Sequence, residues 1–465
     1  MGSLAQLLKA SGHRVGGSDA GIYPPMSTLL ARIGIEIRAG FSPAHIPPDT
    51  ELVIIGNAVR SDNPEVLETQ RRGIRYLSFP AALEEMYLAG RTSVVVAGTH
   101  GKTTTSSLIA WILHHAGLAP GFLIGGVMRN FGSSSALGSG PPFVVEGDEY
   151  HAAFFDRAPK FLHYIPAVGV LTSVDFDHAD IFDGLDACKE TFGRFASLVP
   201  PRGRLIACSD NRHIREIIDG RHSAPIETYG FLDGAEWRLS AYAGSASGAH
   251  FTLARRGGDS HRVESPLAGA HNALNATAAF AAASSLGVPP ARILSALSTF
   301  KGVKRRQEVR GEPRGITVID DFAHHPTEVR ETISAIKERY AGRRLWAVWE
   351  PRTNSSRRNF FQEEYPDAFL GADRVVVAGV FRAEQVEPGR RLSPERLAAD
   401  IGGRGVEARC IERADDILAA LISECREGDV VLVMSNGDFE KLPERLIAGL
   451  GGGGMPSTDT PAGRG

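Results

Sequence analysis

Residues 96–105, with the sequence VAGTHGKTTT, have the residue types of a phosphate-binding loop. They follow a buried strand predicted at Val94-Val95-Val96 and open a helix predicted to run through His115. Successive backbone N–H groups of a glycine-rich turn can surround an anion, and the dipole of the following helix adds to the attraction. Lys102 can neutralise phosphate oxygens, and the Thr103 hydroxyl can bind Mg²⁺. The alternative is a glycine-rich turn capped by threonines, but GKTT directly after a valine strand favours the phosphate site.

Two further predicted strands end in groups that can bind metal. Phe143-Val144-Val145 leads into Glu146-Gly147-Asp148-Glu149, and the strand from Val168 to Leu171 leads into SVDFDHAD, which contains His178. The carboxyl ends of parallel strands share one edge of a sheet, and ligands bind there. Glu146 can bind Mg²⁺ through oxygen, and a neutral His178 imidazole can hold a second ion. The alternatives are a solvated carboxylate at Glu146 and a helix N-cap around His178.

A third polar segment, Asp320-Asp321-Phe322-Ala323-His324-His325-Pro326, follows the strand predicted at Ile316–Ile319. Its paired carboxylates and histidines can bind a ribose, a metal ion or a substrate amine. The alternative is a helix cap with Pro326 in the first turn.

A basic cluster precedes this segment and consists of Lys301, Lys304, Arg305, Arg306 and Arg310. It can be a solvated face, a nucleic-acid patch, or a clamp that stabilises charge on a transferring phosphoryl group. Because the rest of the chain is not basic, nucleic acid is the least favoured of the three.

Three successive α/β series supply the elements that must position these groups. The fold class predicted is α/β with three domains: a Rossmann-like N-terminal domain at 1–90, a central phosphate-loop ATPase-type domain with a parallel sheet at 91–303, and a Rossmann-like α/β domain at 304–450. Residues 451–465 are predicted to be a disordered tail because they are rich in Gly, Pro and Ser. In the first domain, His13 to Gly17 is predicted to be a strand that leads into Ser18 and Asp19.

Length and composition agree with this division. The chain has 465 residues, of which 43% are apolar, so about three domains of ~150 residues can each bury a core. The net charge of −3 gives no general attraction to nucleic acid or to an anionic membrane. No apolar stretch approaches the ~20 residues of a membrane span, and the first residues lack the layout of a signal peptide. With four unpatterned cysteines, a reducing, cytoplasmic location is expected.

Five strings, in this order and spacing, resemble the Mur ligase family: AGTHGKTTT, EGDE, DHAD, AGAHNALNATAA and DDFAHHP. These are three-domain ATP-dependent amide ligases that act on UDP-linked cell-wall precursors, and the resemblance covers the chain except its glycine-rich tail. It implies ATP and Mg²⁺ as cofactors, with UDP-N-acetylmuramate as one substrate of a monomeric enzyme.

Other strings are most similar to the branch that joins the tripeptide L-Ala-γ-D-Glu-meso-diaminopimelate to UDP-N-acetylmuramate in peptidoglycan recycling. They are GSDAGIYPPMSTLL (17–30), PGFLIGGVMRNFG (120–132), DEYHAAFFDRAPKFLHYIP (148–166) and EPRTNSS (350–356). The main alternative is the alanine-adding branch, which usually has DES where this chain has Asp148-Glu149-Tyr150. A phosphate-loop ATPase without ligation is more distant. A relative that adds glutamates to folate should lack the N-terminal UDP-binding domain.

The resemblance also implies roles for individual residues. Lys102, His178 and Arg306 are expected to be catalytic, and Thr103, Glu146 and His178 to bind metal. ATP is expected to contact Gly98, Thr99, His100, Gly101, Lys102, Thr103, Thr104, Asn130, His271, Asn272, Asn275, Arg306 and either Asp320 or Asp321. The substrates are expected to contact Ser18, Asp19, His325, Arg352, Asn354 and Ser355, and His325 is a candidate acceptor for the proton of the attacking amine.

Two departures from the family pattern are visible. Many Mur ligases have a carbamylated lysine after the metal-binding histidine, and here Phe192 stands at that position, with Lys189 three residues earlier. The alanine-adding and tripeptide-adding branches also lack that lysine. In addition, Met1-Gly2-Ser3 matches only the end of the family's first glycine-rich loop, so the first strand is expected to be missing, UDP binding to be poor, and one sheet strand to be left unpaired.

Overall fold

A computed structural model describes residues 1–22, 26–177, 181–220 and 222–452. The chain divides into two compact units. The first contains residues 1–243, 249–267 and 271–303, and the second contains residues 244–248, 268–270 and 304–465. The predicted boundary near residue 90 lies inside the first unit, and the finer division into three segments stays a prediction.

The α-helices of the described residues are α1 Gly2–Ala10, α2 Met26–Arg32, α3 Pro64–Arg71, α4 Phe79–Leu83, α5 Lys102–His115, α6 Leu185–Leu198, α7 Arg212–Ile218, α8 Ala270–Ser285, α9 Pro290–Ser298, α10 Pro326–Arg339, α11 Tyr365–Ala368, α12 Pro394–Gly403, α13 Ala414–Glu424 and α14 Leu442–Leu450. The strands are β1 Gly16–Asp19, β2 Glu36–Ala39, β3 Leu52–Ile55, β4 Arg75–Ser78, β5 Thr92–Ala97, β6 Gly121–Met128, β7 Ser133–Ala136, β8 Pro142–Gly147, β9 His151–Ala153, β10 Asp156–Pro159, β11 Val168–Leu171, β12 Arg204–Cys208, β13 Ile226–Gly230, β14 Trp237–Ser245, β15 Gly248–Arg255, β16 Ser260–Ser265, β17 Glu308–Gly311, β18 Thr317–Asp321, β19 Leu345–Trp349, β20 Arg374–Ala378, β21 Glu407–Ile411 and β22 Val430–Met434.

The first ninety residues form two separate parallel pairs, β1 with β2 and β3 with β4. The strand predicted at His13 to Gly17 is misplaced, because β1 begins only at Gly16. His13 still closes the end of α1, since its N–H donates to the Leu8 carbonyl at 3.1 Å. Among the described strands, β1 and β3 each have one partner.

The centre of the first unit is a ten-stranded sheet with the order β16-β15-β14-β13-β12-β11-β5-β8-β6-β7. Its middle strands are parallel, and β5 lies between β11 and β8. Val94, Val95 and Val96 are fully buried because helices cover both faces, so their continuous apolar run is typical of a central parallel strand. This strand order brings the ends of β5, β8 and β11 to one edge.

The second unit contains a six-stranded sheet with the order β17-β18-β22-β19-β20-β21. All neighbours are parallel except β17 and β18. The strand predicted at Ile316–Ile319 is confirmed to within two residues, since β18 is Thr317–Asp321. Ligand-binding loops are therefore expected after β18, β19, β20 and β22.

All four cysteines are free thiols. Among the described residues, no helix has the length and apolar character that crossing a bilayer requires.

Candidate active site

The predicted phosphate loop connects β5 to α5, and two of its glycines are required by their surroundings. At Gly98, φ is 140°, and an added Cβ would lie 2.2 Å from Thr172 Oγ1. At Gly101, φ is 80°, and an added Cβ would lie 2.5 Å from Asn275 Oδ1. A side chain at either position would collide with the structure beneath the loop, so these glycines let the loop lie directly on it.

Hydrogen bonds from the end of β11 hold the loop. The Thr99 N–H donates to the Ser173 carbonyl at 2.9 Å, and the His100 N–H donates to Ser173 Oγ at 2.8 Å. The Asp175 N–H donates to Thr99 Oγ1 at 2.9 Å. Because α5 begins at Lys102, the N–H groups of its first turn have no acceptor within the helix. The loop and this helix end together have the properties of an anion site.

Lys102 is held above the loop by a buried carboxylate. Its ammonium lies 2.9 Å from Glu149 Oε2 and also donates to the Gly98 carbonyl at 2.5 Å. Only 2% of the Glu149 side chain is exposed, so this ion pair is inside the protein. Burial favours the neutral amine, but the charges of Glu149 and Asp148 outweigh it and raise the pKa of Lys102. Lys102 is therefore a fixed cation beside the anion site.

Thr103 and Glu146 meet as the sequence predicts for a magnesium site. Thr103 Oγ1 donates to Glu146 Oε2 at 3.1 Å, and the Gly125 N–H donates to Glu146 Oε1 at 2.6 Å. Glu146 is half-buried, and both of its carboxylate oxygens accept hydrogen bonds, so its side chain is held in place. A hydroxyl and a carboxylate beside an anion site fit Mg²⁺, which prefers oxygen ligands and shares them with phosphates. Among the described residues, no group of three or more His, Cys, Asp and Glu side chains gathers as a metal site.

The sequence placed Glu149 in the polar cluster after β8 but predicted no role for Glu149 itself. Asp148 accepts a hydrogen bond from the Lys160 ammonium at 3.1 Å, and that ammonium lies 4.1 Å from the centre of the Tyr150 ring. Burial opposes ionisation of Asp148, but Lys160 and Lys102 outweigh it, so the pKa of Asp148 is lowered. The available signal was the string of carboxylates directly after a strand, although the sequence does not show which of them meets Lys102.

Asn275 and Asn272 lie on α8 and are buried. Thr105 Oγ1 donates to Asn275 Oδ1 at 3.1 Å, and Asn275 Nδ2 donates to Asn272 Oδ1 at 3.2 Å. These contacts make Asn275 a support for the phosphate loop. The predicted contacts of Asn272, Asn275 and nearby His271 with adenine and ribose stay predictions.

Asn130, expected near the terminal phosphate, binds the segment that precedes residue 304. Its Nδ2 donates to the Thr299 carbonyl at 3.2 Å, and its Oδ1 accepts from the Lys301 N–H at 2.8 Å. The amide therefore fixes this segment against β6, and its predicted contact with ATP is not tested by these bonds.

The predicted metal ligand His178 lies outside the described residues. The alternative that its segment caps the next helix is wrong, because α6 begins at Leu185 with Gly184 as its N-cap.

Phe192, at the position of the family's modified lysine, is buried and packs against Phe161 with 5.6 Å between ring centres. Lys189 forms ion pairs with Asp186 and Glu216. Neither Phe192 nor Lys189 therefore takes the place of the family's carbamylated lysine.

In the second unit, the two aspartates at the end of β18 have different partners. Asp320 faces Arg310 at 3.1 Å and Arg305 at 3.6 Å, yet burial outweighs both cations and raises its pKa to about 6. Asp321 accepts backbone N–H groups from Gln307 at 2.7 Å and from Ala323 at 2.8 Å. Asp321 thus ties the backbone together, which favours Asp320 for the predicted ribose contact.

Two arginines of the basic cluster form ion pairs within this unit. Arg310 also pairs with Glu444 at 2.8 Å, so Arg305 and Arg310 both have carboxylate partners. The Arg306 guanidinium lies 4.7 Å from the centre of the Phe322 ring. The predicted contact of Arg306 with the terminal phosphate stays a prediction.

The predicted substrate residues of the second unit lie near the ends of β18 and β19. His325 is the N-cap of α10, and its Nδ1 accepts from the Thr327 N–H at 3.2 Å. The cap alternative for this segment is therefore confirmed. The Arg352 guanidinium lies 3.8 Å from the centre of the Phe381 ring. Ser355 is buried, and Asn354 is exposed and accepts from Arg357 at 2.7 Å.

Ser18 and Asp19 end β1 in the first unit. Ser18 Oγ lies 3.3 Å from His45 Nδ1, which in turn lies 3.0 Å from Glu65 Oε1. Asp19 Oδ1 accepts the Gly21 N–H at 2.8 Å. The substrate roles of Ser18 and Asp19 stay predictions.

Comparison with known families agrees with this site. Residues 96–283 match the Mur ligase middle domain, residues 305–437 match the Mur ligase glutamate ligase domain, and residues 1–91 match the catalytic domain of the Mur ligase family. The chain belongs to the Mur ligase family of ATP-dependent carbon–nitrogen ligases.

Individual relatives cover nearly the whole chain. It is 37% identical over 457 residues to the UDP-N-acetylmuramate–L-alanyl-γ-D-glutamyl-meso-2,6-diaminoheptandioate ligase of Escherichia coli K12, covering 97% of this chain and 96% of that one. It is 36% identical to the UDP-N-acetylmuramate–L-alanine ligase of Paenarthrobacter aurescens, covering 97% and 95%. The crystal structure of a murein peptide ligase from Psychrobacter arcticus 273-4 matches with a TM-score of 0.73 at 35% identity, covering 97% and 96%.

Proposed function

We propose that this chain joins L-Ala-γ-D-Glu-meso-diaminopimelate to UDP-N-acetylmuramate with the hydrolysis of ATP to ADP and phosphate. The observation that carries the proposal is the meeting of Lys102 and Thr103 with Glu149 and Glu146 at one sheet edge. The Escherichia coli relative, whose name states this tripeptide, supports the substrate.

The reaction begins when the lactyl carboxylate of UDP-N-acetylmuramate attacks the terminal phosphorus of ATP, which gives an acyl phosphate and releases ADP. The neutral alanine amine of the tripeptide then attacks the acyl carbon, the amide bond forms, phosphate leaves, and the nitrogen gives up one proton to a base. A carboxylate and a triphosphate are both anions, so the first step requires charge neutralisation above all.

Lys102 would supply one fixed cation, and its buried partner Glu149 keeps the ammonium in place before ATP arrives. The N–H groups at the start of α5 would bind phosphate oxygens. Thr103 and Glu146 would hold Mg²⁺, which, when bound, neutralises phosphate charge and polarises the phosphoryl group.

An assay of ADP release with UDP-N-acetylmuramate tests the proposal, comparing the tripeptide with L-alanine and identifying the product by mass spectrometry. We expect faster ADP release and a ligated product with the tripeptide. Equal rates, or a preference for L-alanine, would favour the alanine-adding activity named for the Paenarthrobacter aurescens relative. ATP turnover that neither substrate changes would instead indicate an ATPase without ligation.

A further inference from the structure

The loops after β19 and β20 bring several arginines together in the second unit. The Phe381 N–H donates to the Pro351 carbonyl at 3.0 Å, and the Leu392 N–H donates to the Arg357 carbonyl at 3.0 Å, so the two loops are bonded to each other. Arg358 and Arg391 form an antiparallel bridge. Because both strands end at the carboxyl edge of the sheet, this loop pair lies where an open α/β sheet binds its ligand.

Arg352 is already neutralised in this place. Its Nη1 lies 3.3 Å from Glu350 Oε2 and 3.3 Å from Asp438 Oδ1, and its guanidinium stacks on Phe381. Glu350 is itself fixed by a hydrogen bond from Ser435 Oγ at 2.5 Å. Arg352 is therefore held rigidly, and its charge is already offset by Glu350 and Asp438.

The arginine cluster, defined here as Arg357, Arg358, Arg382 and Arg391, has no such neutralisation. In the described part of the chain, none of these guanidiniums forms an ion pair with a carboxylate. Arg357 donates only to neutral oxygens, of Asn354 at 2.7 Å, Gln385 at 3.4 Å and Phe381 at 3.5 Å. Arg391 donates to the Val386 carbonyl at 3.0 Å. Burial lowers the pKa of Arg357, and the nearby charges of Arg358 and Arg382 lower it further, while Glu384 acts in the opposite direction and offsets them only in part.

Arg382 also occupies an unfavourable backbone conformation. Its φ is 49° and its ψ is 51°, in the left-handed region where glycine or asparagine is the usual residue. Its guanidinium lies 5.2 Å from the centre of the same Phe381 ring that carries Arg352. An arginine in this strained conformation, beside other cations, is less costly when an anion binds to the cluster.

We infer that Arg357, Arg358 and Arg382 bind the carboxylates of the amine substrate that lie beyond its first residue, and so select a multiply anionic peptide over a single amino acid. The inference rests on the proposed function. The tripeptide has several carboxylates beyond its alanine, whereas L-alanine has a single carboxylate. Charge-assisted hydrogen bonds of this kind are worth a factor of about ten or more each in affinity.

The test uses the full chain and steady-state ligation with the tripeptide. Arg382→Asn removes the charge and tolerates the left-handed backbone, Arg357→Gln removes a second charge, and Arg382→Lys keeps the cation. Arg390→Ala is the matched control, because Arg390 lies on the same loop but pairs with Glu387. We expect KM for the tripeptide to rise about tenfold or more in the first two variants, with kcat and the KM values for ATP and UDP-N-acetylmuramate changed by less than about twofold.

Arg382→Lys should restore most of the loss, and added salt should raise KM in the unchanged chain more than in Arg382→Asn, since screening acts on charge. Ligation by the unchanged chain with an unchanged KM in both variants would overturn the inference alone. A loss confined to kcat, or no rescue by lysine, would also overturn it, because the residues would then be structural. Absence of any ligation with the tripeptide by the unchanged chain would overturn the proposed function and the inference with it.

Discussion

Lys102 and Glu149 form a buried ion pair, with 2.9 Å between the ammonium and Oε2, although one residue starts α5 and the other follows β8. The parallel pairing of β5 with β8 places them together, with Ala97 opposite Gly147 at the strand ends. The pair keeps a cation pointed at the phosphate site in the free protein, and its burial makes its two charges dependent on each other.

Removal of the Lys102 charge should abolish ligation and destabilise the fold. We expect Lys102→Met to show no measurable ADP release, since the charge on the terminal phosphate loses its fixed cation. The buried Glu149 carboxylate would lose the cation that balances its charge, which costs up to about 3–5 kcal/mol in the free energy of unfolding. ADP release and urea unfolding measure the two effects.

The double variant Lys102→Met/Glu149→Gln is the control for this prediction. It should recover most of the stability, because no unpaired charge stays buried, but none of the activity. Activity in either variant would remove Lys102 from the mechanism.

The close packing of Gly101 against Asn275 leads to a prediction about ATP binding. Gly101→Ala should abolish ATP binding, because its Cβ would lie 2.5 Å from Asn275 Oδ1 and φ is 80°. Gly117→Ala is a matched control, since Gly117 has a φ of 83° but no atom within 4 Å of an added Cβ. The control should lose about 1–2 kcal/mol of stability from the backbone alone and bind ATP normally. Equal ATP affinity in both variants, measured by calorimetry, would contradict the role of loop packing.

Glu146 should govern the dependence on magnesium. In Glu146→Gln the charge is lost while the hydrogen bond from the Gly125 N–H can be kept. We expect the Mg²⁺ concentration that gives half-maximal ADP release to rise about tenfold or more, with recovery of part of the rate at high Mg²⁺. Glu216→Gln, a change at an exposed residue on α7, serves as the control. An unchanged Mg²⁺ titration would show that Glu146 does not hold the ion.

Asp320 should make the stability of the protein depend on pH. Burial outweighs Arg305 and Arg310 and raises its pKa from 3.8 to about 6, so between these values the folded chain binds more protons than the unfolded chain. The free energy of unfolding contributed by this group therefore falls as pH rises from about 4 to about 6, and is constant above that. Asp320→Asn should remove this decrease, whereas exposed Asp416→Asn should keep it. Urea unfolding across this range measures the difference, and parallel curves for Asp320→Asn and the unchanged chain would contradict the prediction.

Local patterns predicted much of the fold and part of the site. The run of valines before AGTHGKTTT predicted β5 and the helix to His115, and both are observed. Glu146 and Thr103 were predicted to share a site because both follow strands of one parallel sheet, and they meet at 3.1 Å. The strand at His13 to Gly17 was misplaced. The sequence pattern does not show that the His13 N–H still bonds to the end of α1, so that the strand begins only at Gly16.

The sequence by itself determined the chemistry available: a glycine-rich loop with lysine and threonine, carboxylates at strand ends, and arginines after β19 and β20. Only the tertiary structure decided the partners. Lys102 forms its ion pair with Glu149 rather than with Asp148. Asn275 lies directly beneath Gly101. Asp321 rather than Asp320 accepts hydrogen bonds from backbone amides. The physical reason is that these contacts depend on strand order and on the packing of distant helices, whereas hydrophobic periodicity fixes only which face of each element is buried.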